Sequence, residues 1–502
     1  MQGVHLDQEV LANGRFYIKT FGCQMNVADT ERMEALLSES GMSPAADVND
    51  ANVIVINGCS VREKAVHKAV SMLGTLKPLR KASPSEKPII GIGGCVGQLE
   101  KESLFKNAPY LDFVFGTDAI DQLPEMIFRA KLGERKKVYA EFDPSMSYST
   151  QTKVMTQKAQ AFVNIMKGCD KYCTYCIVPF TRGKEKSRTI DEVLDDMAAL
   201  AKGGAKEITL LGQNVNSFGK GNFNEKARTP LELHNIIGKV GPAEGEENFP
   251  QLLRAIEEDE RLESIKRIRF TSSHPLDFSD ELIECYGDRG LSKLCNHLHL
   301  PVQSGSNRIL RKMGRKHQIE HYVEQMRRLR ELSPDVGIGT DLIVGFPTET
   351  EEDFQETLRL LDTIECDSVY AFAYSPRPGT RASKLEDDVP NEVKNDRLNR
   401  LLSHQLEISK RRHELRVGKR LEVLVEGLAK NQNMAAGLMR EGMTRVWTGR
   451  TSCARVVNFK TDSPRNFTGQ FIELDIESVT ALSLTGKIPK EQVTEVRSDL
   501  SL

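Results

Sequence analysis

Three short runs of β-branched and other apolar residues occur within the first hundred positions of the chain. They have the sequences RFYIKTF, ANVIVIN and KPIIGI, and helix-like stretches such as ERMEALLSES and REKAVHKAVSML follow them. Alternation of strand and helix in this way is typical of an α/β domain with a parallel sheet. The pattern predicts such a domain over residues 14–132.

Six further strand-like runs alternate with helical patterns from about residue 155 onwards. They are AFVNIM, EITLLG, IKRIRFTS, HLHLPV, GIGTDLIVGF and SVYAFAY. This alternation predicts a partial (β/α)6 barrel over residues 155–415, closed by a long helix from about Asn391 to Arg416. Functional residues of such barrels lie at the carboxyl ends of the strands. The polar segment SMSYSTQTKVMTQKAQ, which precedes the barrel, is predicted to be a linker.

Short strands with glycine-rich turns follow over residues 416–482 and predict a small OB-like β-barrel. From Lys410 to Arg465 there are 13 Lys or Arg against 5 Asp or Glu. A local basic excess of this kind favours binding to RNA phosphates, although a merely solvated basic face is the alternative. Trp447, Phe459 and Phe467 are the aromatic side chains that we expect to be exposed there.

The overall composition excludes some classes of protein. The 502 residues have a formal net charge of −2, so general affinity for nucleic acid is not expected. Ten cysteines are too sparse for a disulfide scaffold in a chain of this length, and free thiols indicate a reducing cytoplasm. The N-terminus resembles no signal peptide, and no apolar run of about 18 residues predicts a membrane span.

The most informative motif is CxxxCxxC, formed by Cys169, Cys173 and Cys176 in KGCDKYCTYC. Three thiolates on one loop, here called the core triad, can ligate three irons of a [4Fe–4S] cluster and leave the fourth iron open. Zinc usually takes four Cys or His ligands. No His lies in this loop, and the next downstream cysteine is Cys285. The motif therefore favours a cluster over zinc or purely structural cysteines.

A second set, the N-terminal triad, consists of Cys23, Cys59 and Cys95. Each follows a glycine at the end of a predicted strand, and the spacing is 36 residues in both intervals. Sites in parallel sheets form beyond the carboxyl ends of strands, so the three thiols are expected to converge. The alternative is three cysteines buried in the core. The repeated glycine argues against it, because glycine lets the backbone approach a bulky ligand.

The combination of the two triads resembles the methylthiotransferase family of radical S-adenosylmethionine (SAM) enzymes. The resemblance covers nearly the whole chain and is closest to the branch that acts on N6-isopentenyladenosine in tRNA. It is carried by strings such as FGCQMNVADTERM, CSVREKA, LLGQNVNSFG, SSHP, HLPVQSGSNRILRKMGR and DLIVGFPTET. The chain departs from that branch at Gly58, where threonine is more usual, and in a longer segment from about Gly219 to Pro250.

The resemblance implies two [4Fe–4S] clusters, one on each triad, with SAM as a further cofactor. It implies that the protein adds a methylthio group to C2 of N6-isopentenyladenosine at tRNA position 37. It also implies a monomeric enzyme that needs a flavodoxin- or ferredoxin-like electron donor and a sulfur donor. The C-terminal barrel would be a TRAM domain, which binds RNA. Candidate SAM contacts are Tyr175, Gln213, Asn214, Ser273 and Gln303.

Two alternatives remain open from the sequence. One is methylthiolation of another substrate, either threonylcarbamoyl-adenosine in tRNA or a ribosomal-protein aspartate. The other is a non-catalytic iron–sulfur protein that binds RNA.

Overall fold

The computed structural model describes residues 11, 13–61, 63–80, 87–142, 158–220, 247–287, 290–429, 444–489 and 491. Most of the predicted linker and of the longer segment after Gly219 lies outside these residues. After these two segments, Gln160 begins a strand and Phe249 begins a helix.

A six-stranded parallel sheet with the order β2-β1-β3-β4-β5-β6 forms the N-terminal region. Its strands are β1 (Arg15–Phe21), β2 (Ser43–Pro44), β3 (Val53–Gly58), β4 (Ile89–Gly93), β5 (Phe113–Phe115) and β6 (Lys137–Tyr139). Its helices are α1 (Gln24–Glu39), α2 (Glu63–Leu76), α3 (Gly94–Glu100), α4 (Ser103–Asn107) and α5 (Leu123–Lys131). The sheet continues past residue 132 because β6 pairs with β5.

Apolar clusters cover both faces of this sheet, which explains the continuous apolar character of β3 and β4. The three predicted runs became β1, β3 and β4, and these strands are direct neighbours. Their carboxyl ends therefore lie side by side at one edge.

The predicted partial barrel consists of two three-stranded parallel sheets, β7-β10-β11 and β12-β13-β14. A parallel bridge between Ile268 and Leu294 joins them. The strands are β7 (Gln160–Asn164), β10 (Glu207–Leu211), β11 (Arg267–Phe270), β12 (His297–His299), β13 (Gly337–Val344) and β14 (Ser368–Ala373). Between β7 and β10, the short strands β8 (Met166–Lys167) and β9 (Lys186–Ser187) pair and bracket the core triad.

Helices accompany the barrel strands. They are α6 (Val178–Thr181), α7 (Ile190–Lys202), α8 (Phe249–Glu258), α9 (Asp280–Glu284), α10 (Asn307–Lys312), α11 (Ile319–Leu332), α12 (Glu351–Ile364) and α13 (Asn391–Glu414). All of them except α6 and α10 share a large apolar cluster with the strands. Helix α13 is the predicted closing helix and runs along β14.

The C-terminal region is a closed five-stranded barrel with the order β15-β16-β17-β19-β18. Its strands are β15 (Arg420–Leu428), β16 (Arg445–Thr451), β17 (Val456–Thr461), β18 (Phe471–Val479) and β19 (Leu484–Lys487), so it extends beyond residue 482. The expectation of exposed aromatics was wrong. Trp447, Phe459 and Phe467 are buried and pack edge-to-face, because a barrel this small needs large side chains to fill its interior.

The C-terminal barrel docks against the amino end of the β11 strand. Arg267 donates to the carbonyl of Arg450 at 2.9 Å, and Arg269 donates to the carbonyls of Thr451 and Ser452 at 2.7 and 2.8 Å. The predicted fold class is confirmed. Among the described residues, no helix has both the length and the apolar composition needed to cross a bilayer.

Candidate iron–sulfur and SAM site

The N-terminal triad lies at the carboxyl ends of the adjacent strands β1, β3 and β4. Cys23 caps the start of α1, Cys59 follows β3 directly, and Cys95 lies in the first turn of α3. The Cys23 and Cys59 side chains share a hydrogen bond, and the charges of Cys23 and Cys95 both act on Cys59. The sheet order therefore brings together three thiols that lie 36 residues apart in the sequence.

Two buried asparagines fix the backbone around this triad. Asn26 Nδ2 donates to Asn57 Oδ1 at 3.0 Å, and Asn57 Nδ2 donates to the Asn26 carbonyl at 2.8 Å and to Thr30 Oγ1 at 3.0 Å. Asn26 Oδ1 also lies 3.4 Å from Cys23 Sγ. These bonds tie the start of α1 to the end of β3, so the Cys23 and Cys59 thiols hold a fixed relative position.

The glycines before these cysteines make room chiefly for neighbouring protein atoms. Gly94 has φ +76°, and an added Cβ would lie 2.3 Å from Asn57 Oδ1. At Gly58 an added Cβ would lie 2.9 Å from Val96 Cγ2. The Gly58 departure from the family pattern is thus matched by the Val96 side chain, which occupies the space of a larger residue.

The thiols of the N-terminal triad differ in acidity. The hydrogen bond from Cys59 lowers the pKa of Cys23 to about 6, and Arg182 adds to this effect against the opposing effect of burial. The same hydrogen bond and burial raise the pKa of Cys59. Two close thiols hold one negative charge more easily than two, so in the absence of a ligand Cys23 carries that charge.

The core triad occupies one loop between β8 and β9. Burial raises the pKa of Cys169 well above its ordinary value. Burial, together with the neighbouring Cys173, raises the pKa of Cys176 to about 12. Arg315 is buried and its Nη1 lies 3.9 Å from Cys173 Sγ. Its guanidinium supplies positive charge where three thiolates would be held.

A buried polar network surrounds the start of this loop. Lys171, within the cysteine motif, pairs with Asp277 at 2.7 Å, and Asp277 accepts from Asn214 Nδ2 at 2.8 Å. Burial raises the pKa of Asp277, but Lys171 and Lys220 outweigh it, so the net pKa lies below the usual range. Burial also raises the pKa of Glu185 to about 8, where the carboxyl accepts from Ser217 Oγ at 2.5 Å.

Lys171, Glu185 and Asp277 were missed in the sequence analysis. Lys171 and Glu185 lie inside the strings KGCDKYC and RGKEKSR, and Asp277 follows the strand end SSHP. These strings were visible in the sequence, whereas the contacts among the three side chains were not.

The five predicted SAM contacts surround the same end of the barrel. Gln213 Oε1 accepts from the Gly168 backbone at 2.5 Å and so holds the residue before Cys169. Tyr175 packs edge-to-face against Phe346, with ring centres 6.5 Å apart. Gln303 has φ +78° and joins β13 through backbone bonds to Asp341 and Ile343.

Several buried polar atoms near the core triad lack a hydrogen-bond partner among the described residues. They are Asn214 Oδ1, Ser273 Oγ, Arg315 Nε and both ring nitrogens of His317. Buried polar groups without partners are costly, and a polar ligand would satisfy them. SAM carries an amino group, a carboxylate and an adenine, so these atoms fit SAM as a bound partner.

Both triads face one junction between the N-terminal region and the barrel. Arg182, six residues after Cys176, donates to Asp29 Oδ2 at 2.6 Å, and this pair is buried. Thr117 Oγ1 donates to the Thr181 carbonyl at 2.8 Å. The charges of Cys23 and Cys95 act on Arg182, so the core-triad loop extends directly to the N-terminal triad.

In the described part of the chain, no three His, Cys, Asp or Glu side chains are arranged to hold a single metal ion. A cubane cluster does not need that arrangement, because each thiolate ligates a different iron. Two sets of three thiols, each with a buried arginine nearby, fit clusters better than zinc.

Comparisons with known families match both regions. Residues 163–361 match the radical SAM superfamily, and residues 15–116 match the uncharacterized protein family UPF0004. Among solved structures, the chain resembles the radical SAM methyltransferase TsrM from Kitasatospora setae, with a TM-score of 0.53 at 12% identity over 74% of this chain and 75% of that one. At that identity the likeness shows a shared fold alone.

Sequence relatives are much closer. Proteins named tRNA-2-methylthio-N(6)-dimethylallyladenosine synthase are 42% identical in Bdellovibrio bacteriovorus, over 87% of this chain and 90% of the relative, and 41% identical in Bacillus subtilis, over 96% and 87%. A third, from Geobacillus thermodenitrificans, is 42% identical over 95% and 84%. The chain therefore belongs to the tRNA-2-methylthio-N(6)-dimethylallyladenosine synthase family of radical SAM enzymes.

Proposed function

We propose that this protein adds a methylthio group to C2 of N6-isopentenyladenosine at tRNA position 37. The observation that carries the proposal is the match to the named synthases along almost the whole chain, which includes both cysteine triads. The buried junction between the triads supports it, because a sulfur held at one and SAM held at the other would reach a common substrate.

The proposed division of labour follows from the two sites. The core triad would hold a [4Fe–4S] cluster whose open iron takes SAM, and the N-terminal triad would hold a second cluster whose open iron takes sulfur. When bound, the core cluster supplies the one-electron cleavage of SAM, and an unactivated aromatic C–H bond needs this radical chemistry.

The chain's own residues would hold and orient these groups. Arg315 offsets the negative charge of the core triad, and Gln213 fixes the backbone before Cys169. Asn214, Ser273, Gln303 and Tyr175 enclose the space where SAM would lie. Arg182 and Asp29 keep the two triads together.

For the C-terminal barrel we propose a role in tRNA binding through phosphate contacts, as in a TRAM domain. Several of the basic residues counted from Lys410 to Arg465 form buried ion pairs that stabilise the fold. Arg412, Arg416 and Arg455 are buried and pair with Asp367 or Asp335. Lys419 also lies 3.6 Å from Asp335, whereas the exposed Lys460 is available to phosphates. The proposal also includes a flavodoxin- or ferredoxin-like reductant, a sulfur donor, a monomeric enzyme and a cytoplasmic location.

The test is mass spectrometry of nucleosides from tRNA of cells with and without the gene. We expect 2-methylthio-N6-isopentenyladenosine to disappear in the deletion strain, N6-isopentenyladenosine to accumulate, and the wild-type gene to restore the product. Unchanged tRNA with loss of a methylthio group from a ribosomal-protein aspartate would contradict the proposal. Loss of the threonylcarbamoyl product instead would contradict it as well.

A further inference from the structure

An exposed aromatic pair lies on the last strand of the barrel. Tyr370 and Phe372 on β14 are 56% and 44% exposed, although β14 pairs along its whole length with β13. The alternate residues Val369 and Ala371 pack against the large apolar cluster under the outer helices. Side chains alternate between the faces of a strand, so Tyr370 and Phe372 point to the opposite face, into the open barrel.

The same inner face carries polar groups beside Tyr370. Asp341 on β13 is directly opposite Tyr370, and its Oδ1 lies 3.1 Å from His299 Nε2. The His299 ring contacts Tyr370 edge-to-face, with centres 5.6 Å apart. This patch therefore combines an aromatic surface with a carboxylate and an imidazole.

Residues next to the pair connect it to the surroundings of both triads. On one side, Ile343 is directly opposite Phe372 and packs in the apolar cluster that includes Tyr175, the residue before Cys176. On the other side, Ser375, two residues after β14, donates to the Glu63 carboxylate at 2.9 Å. Glu63 follows Cys59 by four residues. The aromatic pair therefore lies on a strand whose neighbouring residues contact the surroundings of both triads.

From this placement we infer that Tyr370 and Phe372 form the binding surface for the isopentenyl-adenine base. This inference rests on the proposed function. The Tyr370 ring stacks on the purine, and Asp341 and His299 offer polar atoms to its nitrogens. Phe372, nearer the carboxyl end of β14, packs against the isopentenyl chain and gives preference for the isopentenylated base. Aromatic side chains are the usual platforms for an unstacked base.

Two readouts test the inference with the reconstituted holoenzyme. The first is affinity, without SAM, for an anticodon stem-loop RNA with isopentenyladenosine at position 37 and for the same RNA with adenosine. The second is kcat/KM for methylthiolation of the isopentenylated RNA. The variants are Phe372→Ala, Tyr370→Ala and Tyr370→Phe. Leu402→Ala, which truncates an exposed apolar residue on the outer helix α13, is the matched control.

Phe372→Ala is expected to reduce the preference for the isopentenylated RNA by about tenfold, the scale of a lost apolar contact in a pocket. Affinity for the unmodified RNA should change less than about twofold in that variant. Tyr370→Ala should lower kcat/KM by about 5–150-fold, as for a lost stacking contact. Tyr370→Phe and Leu402→Ala should remain within about twofold of wild type. SAM cleavage without RNA should be unchanged in all four variants, because the core triad is intact.

If wild type acts on the isopentenylated RNA and the two alanine variants match Leu402→Ala in both readouts, the inference is wrong while the proposed function stands. If wild type itself neither prefers nor modifies the isopentenylated RNA, both are wrong.

Discussion

The two cysteine triads have the same composition but are built in opposite ways. The core triad lies on one loop of eight positions, so its ligands are local in sequence. The N-terminal triad is assembled from the ends of three neighbouring strands, and its position depends on the whole sheet and on the Asn26–Asn57 bonds. A local motif such as the core triad can therefore be identified from its spacing alone, whereas the N-terminal triad exists only once the parallel sheet has formed.

The largest effect is expected when the core triad is removed. Replacement of Cys169, Cys173 and Cys176 by Ala should abolish 5′-deoxyadenosine formation and methylthiolation together, because the site that would take SAM is lost. Chromatographic assay of 5′-deoxyadenosine under reducing, anaerobic conditions checks this. Persistent reductive cleavage of SAM would show that the core triad does not perform this step.

Removal of the N-terminal triad should separate the two activities. With Cys23, Cys59 and Cys95 replaced by Ala, SAM cleavage should remain measurable while the methylthio product disappears. Nucleoside mass spectrometry of the treated tRNA gives the second readout. Full methylthiolation by this variant would favour the alternative in which these cysteines are only buried residues of the hydrophobic core of the N-terminal region.

A smaller effect is expected when the link between the triads is cut. Asp29→Asn leaves the Arg182 guanidinium buried without its carboxylate, which should cost about 3–5 kcal/mol in free energy of unfolding. Urea denaturation measures this cost, with the exposed Glu102→Gln as control. Equal stability of the two variants would mean that the buried pair contributes little.

The smallest expected difference concerns thiol reactivity in the apo-protein. Cys23, with a pKa of about 6, is mostly thiolate at pH 7, whereas Cys176, with a pKa of about 12, is almost entirely thiol. Since the thiolate is the nucleophile, iodoacetamide should alkylate Cys23 faster than Cys176, and the alkylation rate of Cys23 should fall as pH drops below about 6. Peptide mass spectrometry at several times measures both rates. Faster labelling of Cys176 at pH 7 would contradict the assigned acidities.

Much of the fold was predictable because its signals are local. The runs RFYIKTF, ANVIVIN and KPIIGI became three adjacent strands, and the six barrel strands appeared within a few residues of their predicted places. Strand periodicity and the position of glycine carry this information within short windows.

Contacts between distant segments were not predictable in the same way. Arg182 and Asp29 are 153 residues apart, and Arg267 meets the C-terminal barrel 183 residues away. Local pattern gives no sign of either contact. Trp447 was misjudged for a related reason, since an aromatic residue in a short strand points inward or outward according to the register of the closed barrel.

The central claim, that each triad independently holds one [4Fe–4S] cluster, is tested most directly by Mössbauer spectroscopy with iron quantification. The samples are anaerobically reconstituted wild type and the two triple-alanine variants. We predict about eight irons per chain in wild type and about four in each variant, all in cubane clusters. About four irons in wild type, or loss of all iron from either variant, would contradict the claim.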